Sequence, residues 1–120
     1  MVLAAEAFTD NIANRIKSVC NAKLYNGYGP SETMYVTFTD VTQQEKINIG
    51  LPIYNTKFYI LDSNMKMCPI GISGEIYISG DGVGKGYVNN KELTDEKFLD
   101  NPFGRRFKTI QDRRHRAIFT

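Results

Sequence analysis

Four side chains that suit nucleotide binding lie within positions 26–32 of the sequence: Asn26, Tyr28, Ser31 and Glu32. The ring of Tyr28 offers a flat face to a base, and the amide of Asn26 both donates to and accepts from a base edge. The Ser31 hydroxyl can hydrogen-bond a phosphate oxygen, and the Glu32 carboxylate can bind Mg²⁺. The same residues could also form an ordinary turn, or a helix start that Ser31 caps after a Gly-Pro pair.

Other motifs offer less chemistry. The glycine-rich segment 80–87 resembles a phosphate loop, but Lys85 stands where the dinucleotide pattern needs glycine and Gly86 where the P-loop needs serine or threonine. We interpret these glycines as backbone devices for bulges and tight turns. The two cysteines, Cys20 and Cys68, lie far apart and His115 is the one histidine, so the sequence supports neither a zinc site, nor a disulfide framework, nor a nucleophilic hydrolase.

The composition predicts a globular protein in a reducing cytoplasm. The 120 residues are 42% hydrophobic, which is enough for one ordinary core, and we find no membrane span or signal peptide. The net charge of +2 is uneven, because residues 105–120 carry six basic side chains and one acid. We interpret this basic tail as a solvated terminal run in preference to a nucleic-acid contact, since it lacks interleaved aromatic residues.

The hydrophobic pattern predicts an α/β chain that becomes mainly β near residue 47. A helix is expected to begin at Thr9 and to pack one apolar face on a core; that face comprises Ile12, Ala13, Ile16, Val19 and Cys20. Strands are expected at 23–25, 35–39, 57–62 and 74–80, the last two as a hairpin or the edge of a small barrel, and a second helix is expected to begin at Thr94. The predicted subregions are 1–46, 47–109 and a basic tail at 110–120.

Four sequence blocks in one order resemble the adenylation core of adenylate-forming enzymes, and most closely the amino-acid-activating domains of nonribosomal peptide synthetases. The blocks are residues 4–7, 26–32, 49–52 and 74–87, and the pattern continues through 93–103 and 107–109. The resemblance implies an internal fragment: the C-terminal part of an α/β nucleotide-binding subdomain, followed by a β-rich, distorted-barrel subdomain.

The resemblance also implies a reaction and a site. Such enzymes join a carboxylate to the α-phosphate of ATP with Mg²⁺, release pyrophosphate and pass the acyl group to a thiol, either on the phosphopantetheine of a carrier domain or on coenzyme A. Tyr28 would stack on adenine, Asn26 would meet its amino edge, Ser31 would contact the α-phosphate and Glu32 would bind Mg²⁺. The backbone of Ala5 and Glu6 would border the base.

By the same resemblance, five positions would line a mostly apolar pocket for the acyl substrate, which suggests a neutral, apolar to aromatic amino acid; they are Val2, Ala4, Gly27, Tyr35 and Val36.

The sequence also departs from the family pattern. Ile110 and Gln111 stand where the family has a Gly-Asp pair that holds ribose, and the upstream phosphate loop and C-terminal lysine domain have no counterpart. We therefore expect the isolated chain to be inactive. A non-catalytic nucleotide-binding or assembly module is the alternative.

Overall fold

The computed structural model describes residues 1–4, 8–104 and 108–117, and these form two compact units, Met1–Tyr54 and Asn55–Thr120. The first unit contains, in chain order, β1 (Val2–Leu3), α1 (Asp10–Val19), β2 (Tyr25–Tyr28) and β3 (Thr37–Asp40). The second contains β4 (Thr56–Leu61), β5 (Gly74–Gly80), α2 (Lys91–Lys97), β6 (Phe98–Asp100) and β7 (Lys108–Ala117). The two compact units meet between Tyr54 and Asn55. The predicted division at residue 47 concerns subdomains and stays a prediction.

The sheet of the first unit has β2 in its centre, paired in parallel with β1 and antiparallel with β3. Both strands predicted here from sequence are confirmed, but each begins two residues later than expected. Leu24 precedes β2, and its backbone N–H donates to a side chain, the Thr42 hydroxyl, at 2.9 Å. The entry to β3 is delayed by a turn in which Met34 adopts a positive φ of 55°. Leu24, Val36 and Val41 are buried beside this sheet.

Helix α1 begins where the sequence predicted, because the Thr9 side chain accepts a hydrogen bond from the backbone N–H of Ile12. The predicted packing of its apolar face is confirmed only in part. Ala13 is buried and Ile16 and Cys20 are half-buried, whereas Ile12 is 42% and Val19 is 82% exposed. Periodicity identifies an apolar stripe but does not supply a surface for it to pack against.

The second unit is an open four-stranded sheet with the order β4-β5-β7-β6, and its pairs are antiparallel. β4 and β5 pair as an antiparallel hairpin, one of the two arrangements expected for these strands. The buried apolar side chains of this unit are Ile60, Leu61, Cys68, Ile76, Tyr77, Ile78 and Phe98. The described residues thus have the predicted α/β class, with two open sheets and no closed barrel. Neither described helix, ten and seven residues long, is long and apolar enough to cross a membrane.

Two predictions near the C-terminal end needed correction. Helix α2 begins at Lys91, before Thr94, because the Asn90 side chain caps it by accepting from the backbone N–H of Leu93. Thr94 instead accepts from the Tyr87 backbone N–H at 2.9 Å. Residues 108–117 form β7, which lies between β5 and β6, so the backbone of this part of the basic tail is paired in the sheet and is not a solvated run. The charge count that suggested such a run describes side chains and does not report on backbone pairing.

Gly74, at the start of β5, lies at a tightly packed point of the second unit. A β-carbon there would lie 2.6 Å from the Cys68 sulfur, 2.7 Å from the Ile60 side chain and 2.7 Å from the Leu61 carbonyl oxygen. We expect Gly74→Ala to lower the free energy of unfolding by about 1–3 kcal/mol in urea denaturation, because the added methyl overpacks this contact. Gly104→Ala is the control, since its nearest such contact is 3.6 Å. Equal stability of the two variants would contradict the prediction.

Candidate functional site

Strand β2 carries three of the predicted site residues side by side. Because successive side chains of a strand point to opposite faces, Asn26 and Tyr28 lie on one face of the sheet and Gly27 on the other. Asn26 is 6% exposed, and its Nδ2 donates to the backbone oxygen of Asn48 at 2.8 Å. Tyr28 is half-buried, and its backbone oxygen accepts from Val36 at 2.8 Å. The base-recognition candidates are therefore held by the central strand.

A tight turn follows directly and carries Ser31 and Glu32. Residues 31–33 form this turn, closed by a 3.0 Å bond from the Thr33 N–H to the Pro30 oxygen, so the helix start considered from sequence is wrong. A β-carbon on Gly29 would lie 1.5 Å from the Met34 carbonyl oxygen, so only glycine fits at this point. Ser31 is exposed and Glu32 is half-buried. The turn thus places a hydroxyl and a carboxylate just beyond the end of the strand that carries Tyr28.

The opposite face of β2 holds part of the predicted substrate pocket. Gly27 has no side chain, and a β-carbon there would lie 3.0 Å from the Tyr35 ring and 3.5 Å from the Phe38 ring. Phe38 also stacks on Tyr25, with ring centroids 5.3 Å apart and an interplanar angle of 11°. Tyr35 and Phe38 are each 48% exposed. The structure therefore brings Gly27 and Tyr35 into contact and adds two aromatic neighbours, Tyr25 and Phe38, that sequence reasoning missed.

The remaining predicted pocket and base-bordering residues occupy different settings. Val2 lies on β1, opposite Tyr25 in the parallel register, and is 52% exposed. Ala4 follows β1 and is half-buried. Val36 is 2% exposed. Ala5 and Glu6, predicted to border the adenine, lie outside the described residues.

A polar segment, Asp40–Gly50, supports the face of β2 that carries Asn26. Asn48 provides the carbonyl that receives the Asn26 amide, and its own side chain accepts from the Gly50 N–H at 2.9 Å. The segment is also bonded to α1, where Asp10 accepts from the Ile47 N–H at 2.7 Å. The sequence analysis assigned no role to Asn48. The Asn-x-Gly pattern of residues 48–50 was the available signal for it.

The resemblance found in the sequence is matched by comparison with known proteins. The profile of the family described as AMP-binding enzyme matches residues 1–88, which is well over half of the chain. The chain belongs to the AMP-binding enzyme family. Tyrocidine synthase 3 of Brevibacillus parabrevis is 49% identical over 88 residues, which cover 69% of this chain. The chain spans 1% of the length of that relative.

Solved structures share the fold of this chain. A four-domain nonribosomal peptide synthetase bound to AMP and glycine matches with a TM-score of 0.82 and 30% identity, over 92% of this chain and 8% of the synthetase. The N-terminal subdomain of NpsA from Klebsiella oxytoca matches with a TM-score of 0.80 and 22% identity, over 98% of this chain and 30% of that subdomain. The chain therefore corresponds to part of a nonribosomal peptide synthetase adenylation domain, as the sequence blocks predicted.

Asp40, at the start of the polar segment, is expected to make the stability of the protein depend on pH in the acid range. The Thr42 hydroxyl donates to this carboxylate at 2.5 Å and the Thr42 N–H donates at 2.9 Å, and these bonds lower the pKa of Asp40 below its ordinary value of 3.8. A lowered folded-state pKa contributes stability above about pH 3.8, and that contribution is lost as the pH falls through the folded-state pKa. We expect Asp40→Asn to flatten the pH dependence of the free energy of unfolding below that value.

The measurement is urea denaturation at a series of pH values between neutrality and the acid limit of folding. Thr42→Ala should give a smaller flattening, because it removes the hydroxyl donor and leaves the backbone donor in place. Unchanged acid dependence in Asp40→Asn would contradict the assignment.

Proposed function

We propose that the chain is the adenine-binding and metal-binding part of an enzyme core that activates an amino-acid carboxylate with ATP, forming an acyl-adenylate and releasing pyrophosphate in nonribosomal peptide synthesis. One observation carries the proposal. β2 bears Asn26 and Tyr28 and leads directly into the turn that bears Ser31 and Glu32. Since ATP is the proposed substrate, we place the reaction in the cytoplasm.

The base would be held from one face of β2. The half-buried ring of Tyr28 offers a stacking surface, and base–aromatic stacking is worth about 1–3 kcal/mol per base. The Asn26 amide is fixed by Asn48 and presents its oxygen to the exocyclic amine of adenine. A polar group oriented before the ligand arrives loses little entropy on binding. These two side chains together would select and orient the adenylate.

The phosphate region would be bound by the turn. Ser31 is exposed, so its hydroxyl can donate to an α-phosphate oxygen. Glu32 suits Mg²⁺, since this ion is commonly held by one or two carboxylates together with substrate phosphates and waters. Among the described residues no group of three acidic, histidine or cysteine side chains gathers to form a cage. Glu32 would therefore hold the ion jointly with the nucleotide, and bound Mg²⁺ would supply neutralisation of the phosphate charge.

The acyl side chain would lie on the opposite face of β2, near Gly27 and Tyr35. The contact of the Tyr35 ring with the bare backbone of Gly27 gives that region an apolar floor. Val2 lies on the neighbouring strand β1, Ala4 follows that strand, and Val36 is buried. A neutral, apolar to aromatic amino acid fits this lining. The activated acyl group would pass to a carrier-domain phosphopantetheine thiol or to coenzyme A.

Nucleotide binding by the chain itself provides the central test. We expect AMP to shift the amide resonances around Tyr28 in a ¹H–¹⁵N NMR titration, and Tyr28→Ala to weaken that binding about tenfold or more through loss of stacking. Tyr54→Ala is the matched control, because Tyr54 belongs to the same unit and is 97% exposed. Equal effects of the two substitutions would overturn the proposed adenine site.

Amino-acid-dependent exchange of pyrophosphate into ATP tests the catalytic status of the chain. We expect none across the common amino acids, because the upstream phosphate loop and the C-terminal lysine domain contribute groups that act together with those present here. Any such exchange by the purified chain would contradict the expected inactivity.

A non-catalytic assembly module is the second candidate function. It is favoured by the apolar residues that α1 exposes, notably Ile12 and Val19. AMP binding that depends on Tyr28 would favour the adenylation core, whereas a folded chain without nucleotide binding would favour the assembly module.

A further inference from the structure

The orientation of the Asn26 amide is set by one hydrogen bond. Its Nδ2 donates to the Asn48 backbone oxygen at 2.8 Å, and the residue is 6% exposed. An amide carries its nitrogen and oxygen on separate branches of a planar group. Turning Nδ2 towards Asn48 therefore directs Oδ1 along the other branch. A flipped amide would place two carbonyl oxygens against each other in a buried setting, which is unfavourable.

The carbonyl of Asn48 is itself held in place by local bonds. The Asn48 Oδ1 accepts from the Gly50 N–H at 2.9 Å, and its Nδ2 donates to the Gln44 Oε1 at 3.2 Å. Gly50 has a φ of +75°, a conformation that other residues rarely adopt. A β-carbon there would also lie 2.7 Å from the Thr39 side chain. The chain around Asn48 is thus restricted by both its side-chain bonds and its backbone geometry.

Helix α1 anchors the same segment from a distance in sequence. The Asp10 carboxylate accepts from the Ile47 N–H at 2.7 Å, one residue before Asn48. The Lys17 ammonium donates to the Gln44 backbone oxygen at 2.8 Å, near the other end of the segment. Asp10 and Lys17 lie at opposite ends of α1. A regular helix therefore fixes two points of the segment that orients Asn26.

We infer that Asp10 and Asn48 are positioning residues, which hold the Asn26 amide so that its oxygen favours a purine with an amino group at position six. The inference rests on the proposed function, in which Asn26 meets the adenine edge. Adenine presents an N–H donor at that position, whereas hypoxanthine presents a carbonyl acceptor. Hypoxanthine would place an acceptor against the acceptor Oδ1, and nothing would satisfy either group.

Paired titrations of the full chain with AMP and inosine monophosphate test this assignment. We expect the unaltered chain to bind AMP about tenfold more tightly than inosine monophosphate, which corresponds to one lost hydrogen bond. Asp10→Ala removes the acceptor for the Ile47 N–H, and we expect the preference to fall towards unity. If Asp10 acted only on stability, Asp10→Ala would weaken the binding of both nucleotides alike and would leave the ratio of the two affinities unchanged.

Asp10→Asn is the matched rescue variant. Both substitutions remove the same negative charge from the first turn of α1, but asparagine retains an oxygen that can accept from Ile47. We expect Asp10→Asn to keep the preference for AMP. Asp62→Ala is the control in the second unit, because its carboxylate likewise accepts from two backbone N–H groups, those of Asn64 and Lys66. Its nucleotide preference should equal that of the unaltered chain.

The outcomes separate the inference from the proposed function. AMP binding that depends on Tyr28 but does not distinguish the two nucleotides would overturn the inference and leave the proposed function standing. A preference that Asp10→Ala retains would do the same. If Asp10→Ala does not fold, Asn48→Ala provides the test, because it removes both side-chain bonds of Asn48 and keeps its carbonyl; a preference that it retains would overturn the inference. Binding of neither nucleotide would overturn both.

Discussion

The pairing of β2 on both of its edges is the constraint on which the candidate site depends. β3 pairs with all four residues of this short strand along one edge, and β1 pairs with Tyr25 and Asn26 along the other. A strand held on both sides has one register, and one register assigns Asn26 and Tyr28 to one face and Gly27 to the other. A slip of one residue would exchange the base-recognition face for the substrate face. Chemistry on both faces therefore depends on the same backbone bonds.

The two faces of β2 are specialised by their neighbours. On one face, polar groups predominate, and the segment Asp40–Gly50 supplies a carbonyl that fixes the Asn26 amide. On the other, the absence of a side chain at Gly27 allows the Tyr35 ring to approach the backbone closely, with Phe38 and Tyr25 beside it. A polar face suits a base edge and an aromatic face suits an apolar side chain. The proposed acyl-adenylate has both, a base edge in its adenine and an apolar side chain in its acyl group.

Helix α1 is bonded to the site by its polar ends, although two of its apolar residues are exposed. Its polar ends hold the Asp40–Gly50 segment through Asp10 and Lys17, while Ile12 and Val19 contribute little burial within the described residues. The helix is therefore bonded to the site more than it is packed on a core.

The sequence by itself determined the family, the α/β class, the start of α1 at its Thr9 cap and the strands β4 and β5, because these follow from local residue types and from motifs in a fixed order. It did not determine that α2 begins at Lys91 under the Asn90 cap, or that residues 108–117 pair between β5 and β6, since both depend on which partner a backbone group finds. The sequence also did not determine that Asn48 and Asp10 support Asn26. Those contacts join residues 22 and 37 positions apart, and such pairs are set by the packing of the folded chain and not by spacing along it.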